Sequence, residues 1–438
     1  MNILEELRRT PGFLQRFEIG ECVGRGAMGE VYLAFDTYRE REVALKVAPH
    51  ATGEGADPRL RRLWANETRL AGKLRHPYVV EVHEAAELER CSYLVMEYVA
   101  GGTLRDHVEP DRLLPVERVV DITFKVARAL EYDNTMGMLH RDVKPANVLL
   151  AKDGSPKVSD FGSVYFTASE DTQVSDVGTL PFVPPEQFTG AQPSVQGDIY
   201  AVGVMAYQLL CGALPFPMES QAALIFQKLH GEPVPLASRR PDLPAPVLDA
   251  VEGAMHREPA ARFGSWTQLC DEFARVLPAL ESAPEQSMES AQFERLRATK
   301  FFATFSETQL WEAVRLFRPY RVPTGSIVIE EGSPGRSLFV LLSGELAVLS
   351  RNVTLGFISA GECYGELAFL QEEGHVRSAT VVAMRPSTFV ELDMEALAVA
   401  SPGLQAALLR ELMRVLVQRV RRSDERLLAA MLGRPGGG

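Results

Sequence analysis

A change of texture near residue 278 limits what this chain can fold into more than any single motif. From Phe17 to about Leu277, strand-like and helix-like patterns alternate without a break. The stretch Pro278 to about Ser290, PALESAPEQSMES, is rich in Pro, Ser, Glu and Ala and poor in large apolar side chains, which reads as a linker. From Gly325 onward short β-branched or aromatic runs punctuated by glycine take over: Ile327-Val328-Ile329, Leu338 to Leu342, Leu346 to Leu349, Leu355 to Ile358 and Thr380-Val381-Val382. Short, regularly spaced strands with glycine turns predict an antiparallel jelly roll or sandwich. After Ser401-Pro402-Gly403 the pattern turns helical, with Leu404, Leu408, Leu412, Val415 and Leu416, and runs to about Leu432. Pro402 falls near the first turn, where its missing N–H costs nothing. The glycine-rich tail beyond Leu432 should fray.

Charge and cysteine usage narrow the setting. With 46 Lys+Arg against 58 Asp+Glu the net charge is −12, which argues against nucleic acid as a partner. Cys22, Cys91, Cys211, Cys270 and Cys363 lie far apart, with no C-x-x-C pair, so neither a disulfide framework nor a zinc ribbon is expected. The N-terminus shows no basic region followed by an apolar one, and Asn2 stands where myristoylation requires glycine. The most apolar stretch, Ile199 to Phe216, is interrupted by Gly203, Gln208, Gly212 and Pro215 and falls short of the roughly 20 residues a span needs. A buried core helix, no membrane segment and a reducing cytoplasmic location are expected.

Chemistry concentrates in the first region. Gly24-Arg25-Gly26-Ala27-Met28-Gly29, followed by Glu30-Val31-Tyr32, is a glycine-rich turn between strand-like segments. A chain without Cβ lets backbone N–H groups approach phosphate oxygens, although such a turn by itself is equally a plain glycine-rich hairpin. Val43-Ala44-Leu45-Lys46 then puts a lysine on a buried strand, where it needs a partner charge, and Glu67 on an amphipathic segment is the natural candidate. His140-Arg141-Asp142-Val143-Lys144-Pro145-Ala146-Asn147 and Asp160-Phe161-Gly162 supply two carboxylates and an amide, suited to binding Mg²⁺ and accepting a hydroxyl proton.

With five spaced motifs in order, the region from Phe17 to Leu277 resembles a protein kinase, and its GRGAMGEVY and HRDVKPAN wording is similar to the bacterial Hanks-type Ser/Thr kinases. The resemblance implies a bilobal fold in which Gly24, Gly26, Gly29, Val31, Ala44, Met96, Glu97 and Val99 surround ATP, with Met96 as gatekeeper of a hinge at Tyr93 to Val99. It implies that Lys46 holds the α- and β-phosphates and pairs with Glu67, and that Asn147 and Asp160 hold Mg²⁺. Asp142 would accept the substrate hydroxyl proton and Lys144 steady the transferring group. Lys144 and Thr179 imply Ser/Thr substrates. Pro184-Pro185-Glu186 stands for the family's Ala-Pro-Glu, Glu186 would pair with Arg262, and Asp198 would brace the catalytic loop. Arg141 would receive a phosphate from Thr167, Ser169, Thr172 or Ser175, against the alternative that these are ordinary polar loop residues.

In the later region Gly361 to Leu370, followed after a polar turn by Val376-Arg377-Ser378, resembles the phosphate-binding cassette of cyclic-nucleotide-binding domains. A glycine-flanked carboxylate followed by an arginine can take a ribose hydroxyl with Glu366 and a phosphate with Arg377, aided by N–H groups of a short helix. The residues implied for cAMP or cGMP are Gly365, Glu366, Leu367, Ala368, Arg377 and Ser378, with Ser378 not choosing between the two. Similarity to bacterial catabolite-activator-type regulators implies that the last helix caps the ligand and forms a homodimer seam; the alternative is a helix folded on its own jelly roll. The helix-turn-helix of those regulators is not expected, as the chain ends too soon.

The expected fold class is therefore α+β: lead 1–16, kinase domain 17–277, linker and helical approach 278–298, an antiparallel jelly-roll cyclic-nucleotide-binding domain 299–400, C-terminal helix 401–432 and tail 433–438. The expected function is a cyclic-nucleotide-regulated Ser/Thr protein kinase using ATP and Mg²⁺ on a protein substrate. Two rivals are an active kinase whose second domain binds no nucleotide and serves assembly, and a catalytically silent ATP-binding scaffold.

Overall fold

Alternation of apolar side chains with period two builds the first layer. In a computed structural model, which describes residues 16–26, 29–49, 64, 68–69, 72–87, 91–161, 165–166, 177–276, 285–351, 353–366, 369 and 376–432, β1 (Phe17–Gly26), β2 (Gly29–Asp36), β3 (Arg41–Pro49), β4 (Val82–Glu87) and β5 (Cys91–Glu97) form an antiparallel sheet in the order β1-β2-β3-β5-β4. Val43, Leu45 and Val47 face a core made with Phe17, Tyr32, Ala34, Cys91, Tyr93 and Val95. Their neighbours Ala44 and Lys46 therefore point to the opposite face.

From there to Ser290 the chain is mostly helical. Helix α1 (Val116–Thr135) buries Val119, Ile122, Phe124, Val126 and Leu130. Next come the short strands β6 (Met138–Leu139), β7 (Val148–Leu150), β8 (Pro156–Val158) and β9 (Tyr165–Phe166), paired β7 with β8 and β6 with β9. The apolar stretch becomes α2 (Val195–Cys211), a buried core helix capped by Ser194 on the Gly197 N–H and ended by Gly212 at φ 72°. Four more helices complete this part: α3 (Gln221–His230), α4 (Leu236–Arg239), α5 (Ala245–Ala254) and α6 (Trp266–Val276). Helices α1 and α2 pack together, α5 against α2 and α6 against α1.

The chain divides into two compact units, Met1–Ser290 and Ala291–Gly438. Helix α7 (Glu285–Arg297) starts inside the stretch that composition reads as a linker. The reason is local: Ser290 Oγ donates to Asp121 at 2.6 Å and Glu289 lies 3.5 Å from Lys125 Nζ. These polar side chains meet buried charges on α1, so their polarity does not mean solvent exposure.

The second unit continues with α8 (Glu307–Leu316), begun by a Ser306/Gln309 capping box and anchored by Trp311 stacked at 4.0 Å on Phe293. Beyond it lie two four-stranded antiparallel sheets, built from β10 (Arg318–Val322), β11 (Ile327–Ile329), β12 (Ser337–Ser343), β13 (Glu345–Ser350), β14 (Val353–Ser359), β15 (Cys363–Tyr364), β16 (Thr380–Ala383) and β17 (Ser387–Asp393), in the orders β10-β17-β12-β15 and β11-β16-β13-β14. Ile329, Phe339, Leu341, Leu346, Ile358, Tyr364, Val381, Ala383 and Phe389 form the core. The five expected strands are present. Sequence reading missed β10, β15 and β17, and β10 shows why: Arg318-Pro319-Tyr320-Arg321 is exposed on an edge, so it carries no apolar alternation.

A short α9 (Met394–Ala398) leads to α10 (Pro402–Leu432), whose first residue is Pro402. Leu404, Leu408 and Leu412 are buried, while Leu409, Met413 and Val417 are exposed at intervals of four. Among the described residues no helix is long and apolar enough to cross a membrane.

Candidate functional site

The β1–β2 hairpin closes through Gly24 opposite Val31 and Gly26 opposite Gly29. Gly29 sits at φ 127°, and a Cβ there would come within 2.2 Å of the Val47 carbonyl oxygen, so the turn can lie against β3 only with glycine. Ala27 and Met28 at its tip, and Glu67, fall outside the described residues. On β3, Lys46 stands between Val31 and Leu94, and Ala44 opposite Met96. Lys46 is buried and its Nζ lies 3.2 Å from Asp160 Oδ1. At the end of β5 the Glu97 carboxylate receives Lys157 Nζ at 2.8 Å, a pairing the sequence reading did not find. Val99 comes two residues later, half-buried.

The loop after β6 is held at its backbone. His140 N–H and Arg141 N–H each donate to the Asp198 carboxylate at 2.8 Å, from the start of α2. Burial pushes the Asp198 carboxyl up, while His140 and these two N–H groups pull it the other way. Arg141 and Asp160 take left-handed backbone, at φ 67° and 66°, which costs a non-glycine residue about 1 kcal/mol or more. The Asp142 carboxylate accepts Lys144 Nζ at 2.8 and 3.0 Å and Asn147 Nδ2 at 2.9 Å, and Asn147 Nδ2 also reaches the Asp142 carbonyl at 2.8 Å. The structure thus gathers Asp142, Lys144 and Asn147 in one cluster and Lys46 with Asp160 in another.

Glu186 and Arg262 form the expected ion pair, with both contacts at 2.8 Å. Gly162 and the candidate phosphorylation residues Thr167, Ser169, Thr172 and Ser175 lie outside the described residues, as does the Thr179 side chain. Several buried acids escaped the sequence reading, and Asp133 stands apart among them. Asp133, on α1, is 2% exposed, neither carboxylate oxygen has a hydrogen-bond partner among the described residues, and burial with Asp198 nearby raises its pKa well above the ordinary value.

A second constellation occupies the jelly roll. Gly365, at φ 79°, would place a Cβ 2.6 Å from Arg377 Nη1. That Nη1 donates to the carbonyls of Ser337 at 3.0 Å and Gly365 at 3.1 Å, and the guanidinium lies 5.4 Å from the Phe339 ring centre. Burial lowers the Arg377 pKa, opposed by Glu391 and Glu366. Glu366 and Arg377 are both buried and interact electrostatically, while Ser378 is exposed. Leu367 and Ala368 lie outside the described residues.

Comparison with known proteins finds a family match in each region. Residues 17–273 match the protein kinase domain family and residues 319–399 the cyclic nucleotide-binding domain family. The serine/threonine-protein kinase PknB of Mycolicibacterium smegmatis is 35% identical over 277 residues, 61% of this chain and 44% of that one. A probable serine/threonine-protein kinase of Streptomyces coelicolor, SCO3848, is 35% identical over 61% of this chain and 40% of its own length. PksC, a serine/threonine-protein kinase of the same species, is 33% identical over 63% and 52%. The chain thus spans about half or less of the curated relatives it matches.

Proposed function

The chain belongs to the protein kinase family and carries a cyclic nucleotide-binding domain, and on that premise we propose that it transfers the ATP γ-phosphoryl group to Ser or Thr hydroxyls of a protein under control of a cyclic nucleotide. The observation that carries the reading is the Asp142 cluster. A carboxylate fixed by an ammonium and an amide, on a loop suspended from Asp198, is a preorganised proton acceptor.

The remaining residues take the following parts in this reading. The glycine hairpin of Gly24, Gly26 and Gly29 covers the phosphates, and Val31, Ala44, Met96, Glu97 and Val99 surround the base. Lys46 binds the α- and β-phosphates and pairs with Glu67. Asn147 turns its amide nitrogen to Asp142, which leaves its carbonyl oxygen, with the Asp160 carboxylate, as the hard oxygen ligands that would hold Mg²⁺. Among the described residues no three His, Cys, Asp or Glu side chains converge as a metal cage, in keeping with a cation that shares its shell with phosphate and water. When bound, Mg²⁺ neutralises phosphate charge. Lys144 orients Asp142 and steadies the group in transfer. A phosphate between Thr167 and Ser175 would dock on Arg141.

In the jelly roll Glu366 takes the ribose hydroxyl of cAMP or cGMP. Arg377 takes the phosphate with Gly365, Leu367, Ala368 and Ser378 around it. The two carbonyls on Nη1 brace the guanidinium for that contact. The exposed stripe Leu409, Met413 and Val417 supports a homodimer along α10. The partners are then a protein substrate, a cyclic nucleotide and a second copy, with neither nucleic acid nor membrane, in the cytoplasm.

Autophosphorylation of the full chain with labelled ATP and Mg²⁺, with and without cAMP and cGMP, tests the reading. Phosphate incorporation that changes with either nucleotide is expected. No incorporation would leave an ATP-binding scaffold, and incorporation indifferent to both nucleotides would leave an assembly module.

A further inference from the structure

One buried cation of the first unit has no part in the nucleotide cleft. Lys228, on α3, is 1% exposed. Its Nζ donates to the carbonyls of Pro181 at 2.5 Å and Leu180 at 3.4 Å. The ammonium lies 4.8 Å from the Tyr200 ring centre and 6.0 Å from that of Phe216. Among the described residues no carboxylate is within ion-pair distance of it. The charged groups that face it are Arg262 and Glu186, already clasped to each other. Burial pulls its pKa from 10.5 to about 7, Arg262 pulls the same way and Glu186 opposes.

A buried ammonium held by carbonyls and ring faces is costly, so its position calls for an explanation beyond filling space. Both carbonyls belong to the turn Val177–Phe182, which leads into Pro184-Pro185-Glu186. The Leu180 side chain is fixed by Phe216, Leu224 and Phe188. This turn packs on α2, and α2 also carries Asp198, which suspends the backbone of the Asp142 loop. Lys228 therefore ties down a segment that shares one scaffold helix with the proton acceptor. The proposed ATP residues Gly24, Gly26, Gly29, Val31, Ala44 and Lys46 stand on β1 to β3, which hold none of the groups around Lys228.

We propose that the acceptor chain lies beside this turn as its hydroxyl meets Asp142, and that Lys228, by holding the Leu180 and Pro181 carbonyls, is the positioning residue that sets the turn for it. The inference rests on the kinase reading. The charged amine makes stronger hydrogen bonds and a cation–π contact with Tyr200, so the grip tightens when Lys228 is protonated.

The test uses the full chain, with casein and a tagged Asp142→Asn copy of the chain as acceptors, from pH 6 to 8.5. In Lys228→Met the KM for acceptor should rise about fivefold, the scale of one lost hydrogen bond, with the KM for ATP unchanged. Lys228→Arg should restore acceptor KM. In the wild type, acceptor KM should rise as pH passes about 7, and in Lys228→Arg that rise should vanish. Acceptor KM unchanged in Lys228→Met, or both KM values moving together, overturns the assignment. If Lys228→Met does not fold, the pH profiles of wild type and Lys228→Arg decide alone, and identical profiles overturn it. A wild type that phosphorylates neither acceptor removes the kinase reading itself, and this inference with it.

Discussion

Arg262 clasps Glu186 across 76 positions of sequence, with Nη1 and Nη2 each 2.8 Å from a carboxylate oxygen. The remaining Arg262 hydrogen bonds go to the carbonyls of His256, Gln196 and Arg257. Arg262→Ala would leave a nearly buried carboxylate and three carbonyls without their donor. The expected loss is about 3–5 kcal/mol, read from the denaturant midpoint, and Glu186→Gln should cost less because it keeps shape and one acceptor. A midpoint unchanged in Arg262→Ala would contradict this account of the pair.

Asp142→Asn should lower phosphoryl transfer by about 10² to 10⁴ while ATP still binds, because the carboxylate serves the acceptor hydroxyl. Lys46→Ala and Asp160→Ala should reduce both transfer and nucleotide affinity. The checks are labelled-ATP incorporation and calorimetric titration with ATP. Autophosphorylation near the wild-type rate in Asp142→Asn would remove the proposed role.

Asp133 should give stability a pH slope of definite sign. Its folded pKa is raised, so the fold keeps a proton that the unfolded chain releases from about pH 4 upward. The unfolded state then binds fewer protons, and the contribution of this group to stability falls as pH rises. Asp133→Asn removes that titration, so the variant should gain on the wild type progressively as pH rises above about 4, by about 1.4 kcal/mol per unit of raised pKa. Urea titrations at several pH values measure the difference, and parallel curves would refute it.

Arg377→Ala should do two things to the second unit. It removes the proposed phosphate contact, so cAMP and cGMP affinity should drop at least tenfold, on the scale of about 1.5–3 kcal/mol for a hydrogen bond to a charged group. It also strips the donor from the Ser337 and Gly365 carbonyls, so Tm should fall without any ligand. Calorimetry and thermal unfolding separate the effects. A lowered Tm in Arg377→Ala, together with a wild type that binds neither nucleotide, would make Arg377 a structural brace.

Membership of a recognisable motif, not distance along the chain, decides what can be read from sequence: Glu186 and Arg262 are paired by their motifs across 76 positions. Lys46, Asp142, Lys144, Asn147 and Asp160 were singled out because they stand in short motifs that resemble a protein kinase, and the structure brings Asp142 to Lys144 and Asn147 and Lys46 to Asp160. Jelly-roll strands that form a continuous apolar run, such as Ser337–Ser343, were legible from local composition. Lys228 and Asp133 were not. Each looks like an ordinary polar residue of an amphipathic helix until other helices cover it, and Lys228 finds its carbonyl partners 47 and 48 positions away. The start of α7 was obscured likewise, because Glu289 and Ser290 meet charges on α1 that composition does not connect to them.

Asp198 grips the catalytic loop by main-chain N–H groups alone, and every residue except proline offers one. The two hydrogen bonds themselves do not depend on which side chains stand at 140 and 141. Under the role proposed for Arg141, substitution there would change the response to phosphorylation while these two bonds still route the chain past Asp142. A family built on such an anchor can diversify its control inputs without rebuilding its engine.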